Sequence, residues 1–200
     1  MKIAIEGMDG VGKTTIAMAL AKYLGYEYVS KPFKFIFDDL NISESQIKLI
    51  EWKLYETQDE VLLSMFYGLG LVFGSRCKEN TNIVYDRHFA SNYFWRGNKE
   101  TENIHTELLK LCGLPDLIIL LTTSDETRMH RIYKRDKNDS DLTNCAMYVD
   151  GSLKMEEYLL VNNFNYIKIN AEKLTPDDIL EVIIKKIKDS NEKRYVKERN

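Results

Sequence analysis

The chain has 200 residues, of which 44% are hydrophobic and 30% are charged, and its formal net charge is −3. This length suits one domain with a full core, spanning residues 1–200, and the composition excludes a disordered or fibrous chain. Sequence-independent binding of nucleic acid requires many Lys and Arg side chains on phosphates, so this slightly acidic chain predicts no nucleic-acid partner.

The cysteines and the apolar runs predict a cytoplasmic protein. Cys77, Cys112 and Cys145 form neither a disulfide framework nor a CxxC pair, which suits a reducing compartment. No apolar run approaches the ~20 residues that cross a bilayer. The N-terminus lacks the basic flank and the cleavage site of a signal peptide, so we expect no membrane partner.

Five short apolar runs alternate with segments of helical spacing along the chain. This alternation predicts an α/β fold with a five-stranded parallel sheet flanked by helices on both faces. Charges are dense at 189–200, which we predict to be a solvated tail. The candidate strands are 2–5, 26–29, 82–85, 117–121 and 166–169, and the candidate helices are 14–23, 43–55, 58–78, 102–111, 125–137 and one that begins near 175.

A phosphate-binding loop lies between the first strand and the first helix, where the segment 7–15 matches the pattern GxxxxGK[ST]. Its glycines let successive N–H groups point at a phosphate, and the helix N-terminus adds positive charge. Lys13 can bridge the β- and γ-phosphates, and the Thr14 hydroxyl can bind Mg²⁺. We predict that ATP binds to Gly7, Asp9, Gly10, Val11, Gly12, Lys13, Thr14 and Thr15.

The loop identifies the nucleotide but not the reaction, because switches, motors and kinases share it. A motor or a switch needs further segments for which this chain has little room. A small-molecule kinase fits the length.

A second candidate pole is the segment Asp86-Arg87-His88, at the carboxyl end of the third strand. Ligands of open parallel sheets bind outside these strand ends, so the segment is expected beside the glycine-rich loop. Asp86 could hold Mg²⁺ directly or through water, and Arg87 could bind an anionic acceptor. A salt bridge at the strand end is the alternative.

Basic residues crowd the helix predicted at 125–137, and we interpret residues 128–150 as a lid that closes over the transferring phosphate. Arg131 and Arg135 share a face at i, i+4 and are the chosen cations. A solvated basic face is the alternative, and it fits Lys134 and Arg128 equally well. The predicted catalytic residues are Lys13, Asp86, Arg87, Arg131 and Arg135.

With these residues, nearly the whole chain resembles the thymidylate kinase and deoxynucleoside kinase group of P-loop kinases. The segment 5–15 is close to the thymidylate kinase loop, in which a carboxylate at the position of Asp9 approaches the acceptor's 3′-hydroxyl. Asp86-Arg87-His88 with Ser91 is similar to the DR[YH]xxS segment, whose arginine holds the acceptor phosphate. Gly10, where some members carry an arginine, implies that the catalytic cation comes from the lid.

The resemblance implies a P-loop NTPase fold with a helical lid, and transfer of the ATP γ-phosphate to a (deoxy)nucleoside monophosphate. By default the acceptor is dTMP, and relatives usually pair through helices that flank the sheet, so a homodimer is possible. Three alternatives are open: a deoxynucleoside kinase, in which Asp9 or Asp86 would meet the 5′-hydroxyl, a kinase for some other small acceptor, and an ATP-binding regulatory protein without turnover.

The segment Ser30-Lys31-Pro32 departs from the Arg-Glu-Pro of thymidylate kinases. Deoxynucleoside kinases place their catalytic carboxylate at the Glu position, and Lys31 cannot act as that base. An acceptor phosphate is already anionic and needs its charge neutralised. Lys31 therefore favours a monophosphate acceptor, whose phosphate it would help to hold.

The residues around the acceptor base also depart from the family. The helix before the third strand rises ~1.5 Å per residue and the strand ~3.3 Å per residue, so helix residues 64–70 are expected level with the site. Arg76, which resembles the family's thymine-reading arginine, is not expected there. Phe66 and Tyr67 could stack on a base, although core packing explains them as well. Trp95 and Arg96 stand where relatives commonly have Tyr-Gln. The predicted acceptor-binding set is Asp9, Lys31, Phe66, Tyr67, Arg87, Ser91, Trp95 and Arg96.

Overall fold

The computed structural model describes residues 1–31, 36–37, 40, 42–77, 81–144, 147 and 151–197. Five parallel strands form one sheet in the order β2-β3-β1-β4-β5. This α/β architecture confirms the sheet that the sequence predicts. The strands are β1 (Lys2–Glu6), β2 (Glu27–Val29), β3 (Ile83–Asp86), β4 (Leu117–Thr122) and β5 (Tyr166–Asn170).

Helices cover both faces of this sheet, and Ser43 and Gln46 form the capping box that begins the second of them. No helix in the described ranges combines the length and the apolar character needed to cross a bilayer. The helices found in those ranges are α1 (Lys13–Leu24), α2 (Glu44–Tyr55), α3 (Glu60–Cys77), α4 (Phe89–Arg96), α5 (Glu102–Cys112), α6 (Asp125–Arg135), α7 (Gly151–Val161) and α8 (Pro176–Lys197), with a 3₁₀ turn at Ser140–Leu142.

The core lies on both sides of the three central strands, which explains why those strands are apolar on both faces. Ile3 and Ile5 of β1 pack with α1 and α8, whereas Ala4 faces the side covered by α3 to α7. Because β1 and β3 are parallel neighbours, their carboxyl ends meet, and Ile5 pairs with Asp86. The loops that follow these strands therefore begin side by side.

Two helices, α4 and α7, were not predicted from the sequence. The first residue before α4, His88, provides no side-chain cap, and α7 begins at Gly151, a poor helix former. Helix α6 ends at Arg135 rather than near 137. Of the predicted lid, residues 145, 146 and 148–150 lie outside the described residues, as do 198–200 of the predicted tail, while α8 extends through Lys197.

Candidate active site

The glycine-rich loop joins β1 to α1 through residues with positive φ, which are 138° at Gly7, 82° at Gly10 and 104° at Gly12. At Gly10 a side chain is also excluded by packing, since a Cβ atom there would lie 2.6 Å from the carbonyl oxygen of Arg128. Helix α6 therefore lies directly against the loop. The loop arginine of some relatives could not be accommodated at this position without moving α6.

Lys13 is the first residue of α1, and its side chain is only 5% exposed. Its Nζ donates a hydrogen bond to the Met8 carbonyl oxygen at 2.8 Å and lies 3.7 Å from the carboxylate of Asp9. Burial lowers the pKa of Lys13 to about 8, while the charge of Asp86 opposes this shift. The ammonium group is held inside the loop, where it can meet a phosphate.

Thr14 and Asp86 form a polar pair between the glycine-rich loop and β3. The Thr14 hydroxyl donates to Oδ2 of Asp86 at 2.6 Å, and the Tyr28 hydroxyl lies 3.4 Å from the same oxygen. The other oxygen, Oδ1, is buried and has no hydrogen-bond partner among the described residues. A hydroxyl and a carboxylate with a spare buried oxygen are suitable ligands for Mg²⁺.

Arg87 reaches the glycine-rich loop, as the second pole of the predicted site should. Its φ of 80° lies in the left-handed region, and its backbone N–H donates to Ile5 at 3.0 Å. The guanidinium pairs with the carboxylate of Asp9, the same group that lies near Lys13. Burial lowers the pKa of Arg87 to about 10, and the nearby Glu6 opposes the shift. Both candidate anion-binding poles thus meet on a single carboxylate.

Glu6, the last residue of β1, fixes the turn that carries Arg87, a role that the sequence reasoning missed. Its fully buried carboxylate accepts backbone N–H bonds from His88 at 3.0 Å, Ala90 at 2.8 Å and Ser91 at 3.2 Å. The Ser91 hydroxyl donates to it as well. Burial raises the pKa of Glu6, and the Ser91 hydrogen bonds oppose that shift. Glu6 therefore caps α4, which lacks a local cap.

The Ser91 hydroxyl, predicted to touch the acceptor, is directed instead to this buried carboxylate, and Ser91 itself is buried. The hydrogen bond from Ser91 to Glu6, which caps α4, is sufficient to explain a serine at the fourth position after Arg87. A direct contact with the acceptor stays a prediction.

The three arginines of α6 have different surroundings. Arg128 is 2% exposed, so the solvated basic face considered for it is wrong, whereas Lys134 is exposed as that alternative predicts. Arg131 donates to the carbonyl oxygens of Val11 at 3.2 Å and Ala171 at 3.4 Å. Arg135 is 62% exposed, pairs with Asp139, and contributes to the lowered pKa of Arg87. Arg135 is thus the freer of the two predicted lid cations.

Glu172 holds the loop after β5 against the start of α6. Its carboxylate accepts from the hydroxyls of Thr123 and Thr127 and from the backbone N–H of Ser124 at 2.7 Å. These hydrogen bonds lower the pKa of Glu172 to about 2, and the one from the Thr123 hydroxyl contributes most. No sequence pattern predicts this contact, because it joins residues that are far apart along the chain.

The residues predicted beside the acceptor base form a cluster between α2, α3 and α4. The Arg96 guanidinium lies over the rings of Tyr55 and Tyr67, at 4.9 and 5.5 Å from their centroids. Arg96 also pairs with Glu60 at 3.4 Å. The Tyr67 hydroxyl donates to Glu51 at 3.2 Å. Tyr67 and Arg96 therefore lie together, and both contact other side chains of the protein.

Phe66 lies edge-on to Tyr67 at 5.4 Å, and Trp95 packs against Phe94 at 4.8 Å. Ser64, one turn earlier on α3, donates to the Arg96 carbonyl oxygen at 3.2 Å. In contrast, the Ser75 carbonyl oxygen accepts a hydrogen bond from Nζ of Lys2, at the amino end of β1. Helix α3 therefore runs from the site to the opposite edge of the sheet. The exposed Arg76 lies at that opposite edge, as the helix geometry predicts.

Two further predicted residues lie around the glycine-rich loop. Lys31 is exposed and follows β2, and its charge contributes to the lowered pKa of both Lys13 and Asp139. Lys31 is therefore close enough to both residues for its charge to act on them. Thr15 is exposed on the first turn of α1.

The sheet, the phosphate loop and the opposed arginine define a P-loop phosphotransferase. Comparison with known proteins gives the same class. The model of the thymidylate kinase family matches residues 5–181, and the chain belongs to this family. It is accordingly an ATP-dependent nucleoside monophosphate kinase of the dTMP kinase-like type, with nucleotides as its small-molecule substrates, as predicted.

Individual relatives support this assignment. A probable thymidylate kinase of Sulfolobus acidocaldarius is 35% identical over 193 residues, covering 90% of this chain and 92% of that protein. Probable thymidylate kinase 1 of Saccharolobus solfataricus is 30% identical, covering 92% and 94%. A deoxyadenosine kinase structure from M. mycoides with bound dCTP has a TM-score of 0.65 at 24% identity over 94% of this chain and 100% of that chain, which supports the P-loop kinase fold.

Proposed function

We propose that this cytoplasmic enzyme transfers the γ-phosphate of ATP to the 5′-phosphate of dTMP, without a nucleic-acid or membrane partner. One observation carries the proposal: the Asp9 carboxylate lies between the Lys13 ammonium, at 3.7 Å, and the Arg87 guanidinium. Two cations that share one carboxylate can also stabilise the negative charge of a phosphate group. One cation belongs to the donor loop and the other to the β3 end, so the two substrates would meet there.

On the donor side, the amides of 7–15 and Lys13 hold the phosphates, and Thr14 and Asp86 would hold Mg²⁺. The fit is supported by the buried Oδ1 of Asp86, which has no hydrogen-bond partner in the described part of the chain. When bound, Mg²⁺ neutralises charge on the β- and γ-phosphates. The chain itself orients the nucleotide and keeps Lys13 buried beside it.

On the acceptor side, Arg87 and Lys31 hold the 5′-phosphate. Asp9 gives up part of its ion pairing and accepts a hydrogen bond from the sugar hydroxyl instead. An acceptor phosphate is already ionised, so the site needs no base at the position of Lys31. Tyr67, Phe66, Trp95 and Arg96 form the wall toward the base. Arg135, exposed and electrostatically coupled to Arg87, supplies the mobile cation, and Arg131 keeps α6 on the loop.

A substrate panel tests the reaction. With Mg-ATP, we expect ADP release with dTMP and little with thymidine or with other nucleosides. Turnover confined to nucleosides would contradict the monophosphate assignment, and a preference for a purine monophosphate would contradict the choice of base.

The role of Arg87 is tested by Arg87→Ala, with Arg76→Ala as the matched control at the far edge of the sheet. We expect Arg87→Ala to lower kcat/KM for dTMP by roughly 10²-fold or more, because an anion-stabilising group is lost. The KM for ATP should change far less. Equal losses for both substrates would contradict the assignment.

We also propose a homodimer that forms through α3. Between Glu60 and Arg76 this helix has no charged residue, yet Leu62, Met65 and Leu69 are 46, 59 and 55% exposed along one stripe. An uncharged apolar stripe at three- and four-residue spacing can pack against its own copy about a two-fold axis. Light scattering should show a dimer for the wild type and a monomer for Leu69→Lys, while Val161→Lys on α7 stays dimeric.

A further inference from the structure

Arg128 is a buried cation for which neither the phosphate-loop pattern nor the acceptor pattern has a role. It is 2% exposed, although it lies on the strongly basic helix α6. An arginine that is almost fully removed from water loses much of its hydration energy, so its hydrogen bonds must compensate. The partners of Arg128 therefore indicate what the residue does.

The guanidinium connects two segments that are remote in the sequence. Nη1 donates to the Asp9 carbonyl oxygen at 3.3 Å, within the glycine-rich loop. Nη2 donates to the Met147 carbonyl oxygen at 2.5 Å and pairs with Asp125. Met147 is fully buried and follows the 3₁₀ turn of the predicted lid. One planar side chain thus bridges the phosphate loop and Met147, which belongs to the predicted lid.

The backbone of Arg128 makes a second contact with the same part of the loop. A Cβ atom at Gly10 would lie 2.6 Å from the Arg128 carbonyl oxygen, so the two backbones are in close contact. The Asp9–Gly10 peptide is therefore held from one side by the α6 backbone and at its carbonyl oxygen by the Arg128 side chain. Phosphate binding depends on the orientation of the peptides in this loop.

We propose that Arg128 is a positioning residue that holds the Asp9–Gly10 peptide in its phosphate-binding orientation and couples it to Met147 of the predicted lid. The bridge uses two different guanidinium nitrogens, and a lysine ammonium cannot reproduce this planar fork. The inference rests on the proposed function for the identity of ATP as the donor, but it concerns the loop and the lid segment alone.

The test compares Arg128→Met and Arg128→Lys with the control Lys134→Met, which lies on the exposed face of the same helix. We expect both Arg128 variants to weaken ADP binding, measured by calorimetry, by roughly tenfold, as the loss of a charge-assisted hydrogen bond predicts. The KM for ATP should rise equally, while kcat at saturating ATP stays within about threefold of the wild type. Backbone amides in 8–13 and in 136–144 should exchange hydrogen faster, and in the control they should not.

Recovery of wild-type ADP affinity in Arg128→Lys would overturn the proposal, because it would show that charge suffices. Lower thermal stability with unchanged KM and unchanged exchange would overturn it too, since that result describes packing alone. If Arg128→Met does not fold, Arg128→Lys decides, because it retains the charge and most of the volume. A wrong choice of acceptor would appear as absent turnover of dTMP in the wild type, whereas ADP binding and exchange need no acceptor.

Discussion

The donor side and the acceptor side of the site are built in different ways. In the proposed site, the donor side consists mainly of one contiguous segment, 7–15, whose backbone and first helical turn would bind phosphate. The proposed acceptor side combines side chains from four separate parts of the chain, which are Lys31, Tyr67, Arg87 and Arg96. A contiguous backbone site is specified by a short pattern, whereas a dispersed side-chain site depends on how the elements pack.

The largest effect should come from the donor side. Lys13→Met removes the ammonium group that is buried inside the glycine-rich loop, and we expect kcat to fall by roughly 10²- to 10³-fold, the size typical of a lost electrostatic stabiliser. Steady-state kinetics measure the loss, and thermal unfolding checks the fold. Lys22→Met, an exposed position on the same helix, should behave like the wild type. A kcat within tenfold of the wild type would mean that other cations hold the transferring phosphate.

The next effect should appear where the two sides join. Glu6→Ala removes the acceptor of three buried backbone N–H bonds and of the Ser91 hydroxyl, so we expect the free energy of unfolding to fall by about 3 kcal/mol or more. Since the same carboxylate fixes the Arg87 turn, the KM for the monophosphate should rise more than the KM for ATP. Urea unfolding and steady-state kinetics measure the two effects.

Glu157→Ala, an exposed carboxylate on α7, is the control for Glu6→Ala. If Glu6→Ala lowers stability but leaves both KM values unchanged, Glu6 caps α4 without positioning Arg87.

The strands and the donor loop were predictable because their signals are local. β4 is buried on both faces, so its apolar run predicts a central strand, and the segment 7–15 contains nearly the whole phosphate loop. The position of Arg87 opposite this loop was predictable because the carboxyl ends of parallel strands meet at one edge of the sheet. These inferences need only short-range patterns and a general rule of sheet topology.

The remaining features depend on contacts between distant residues. Helix α4 was missed because its cap is Glu6, more than 80 residues earlier in the chain. A lone carboxylate at the end of an apolar strand was a usable signal for that role. Arg128 was considered for a solvated face because the spacing along one helix does not show which side another segment covers. Helix geometry placed Tyr67 level with the site and the family resemblance placed Arg96 beside the base, but their contacts with Tyr55 depend on the position of α2.

A smaller change should affect the acceptor side alone. Tyr67→Phe removes the hydroxyl that donates to Glu51 and keeps the ring over which Arg96 lies. We expect a loss of about 1 kcal/mol in unfolding free energy and a rise of a few fold in the KM for dTMP, with the KM for ATP unchanged. Tyr133→Phe, an exposed tyrosine on α6, is the control. A matching rise in the KM for ATP would contradict the separation of the two sides.

The smallest effect concerns the loop after β5, where Glu172 contacts the start of α6. Hydrogen bonds lower the pKa of Glu172 to about 2 in the folded chain, whereas an unfolded glutamate has a pKa of about 4.3. The ionised carboxylate therefore stabilises the fold fully above about pH 4.3, and this contribution is lost as the pH falls toward 2. Accordingly, Glu172→Gln should lower the thermal midpoint slightly at pH 6, and the difference from the wild type should shrink by pH 3. Glu181→Gln, at an exposed position on α8, is the control. A difference between Glu172→Gln and the wild type that stays constant with pH would mean that the hydrogen bonds of Glu172 do not require its charge.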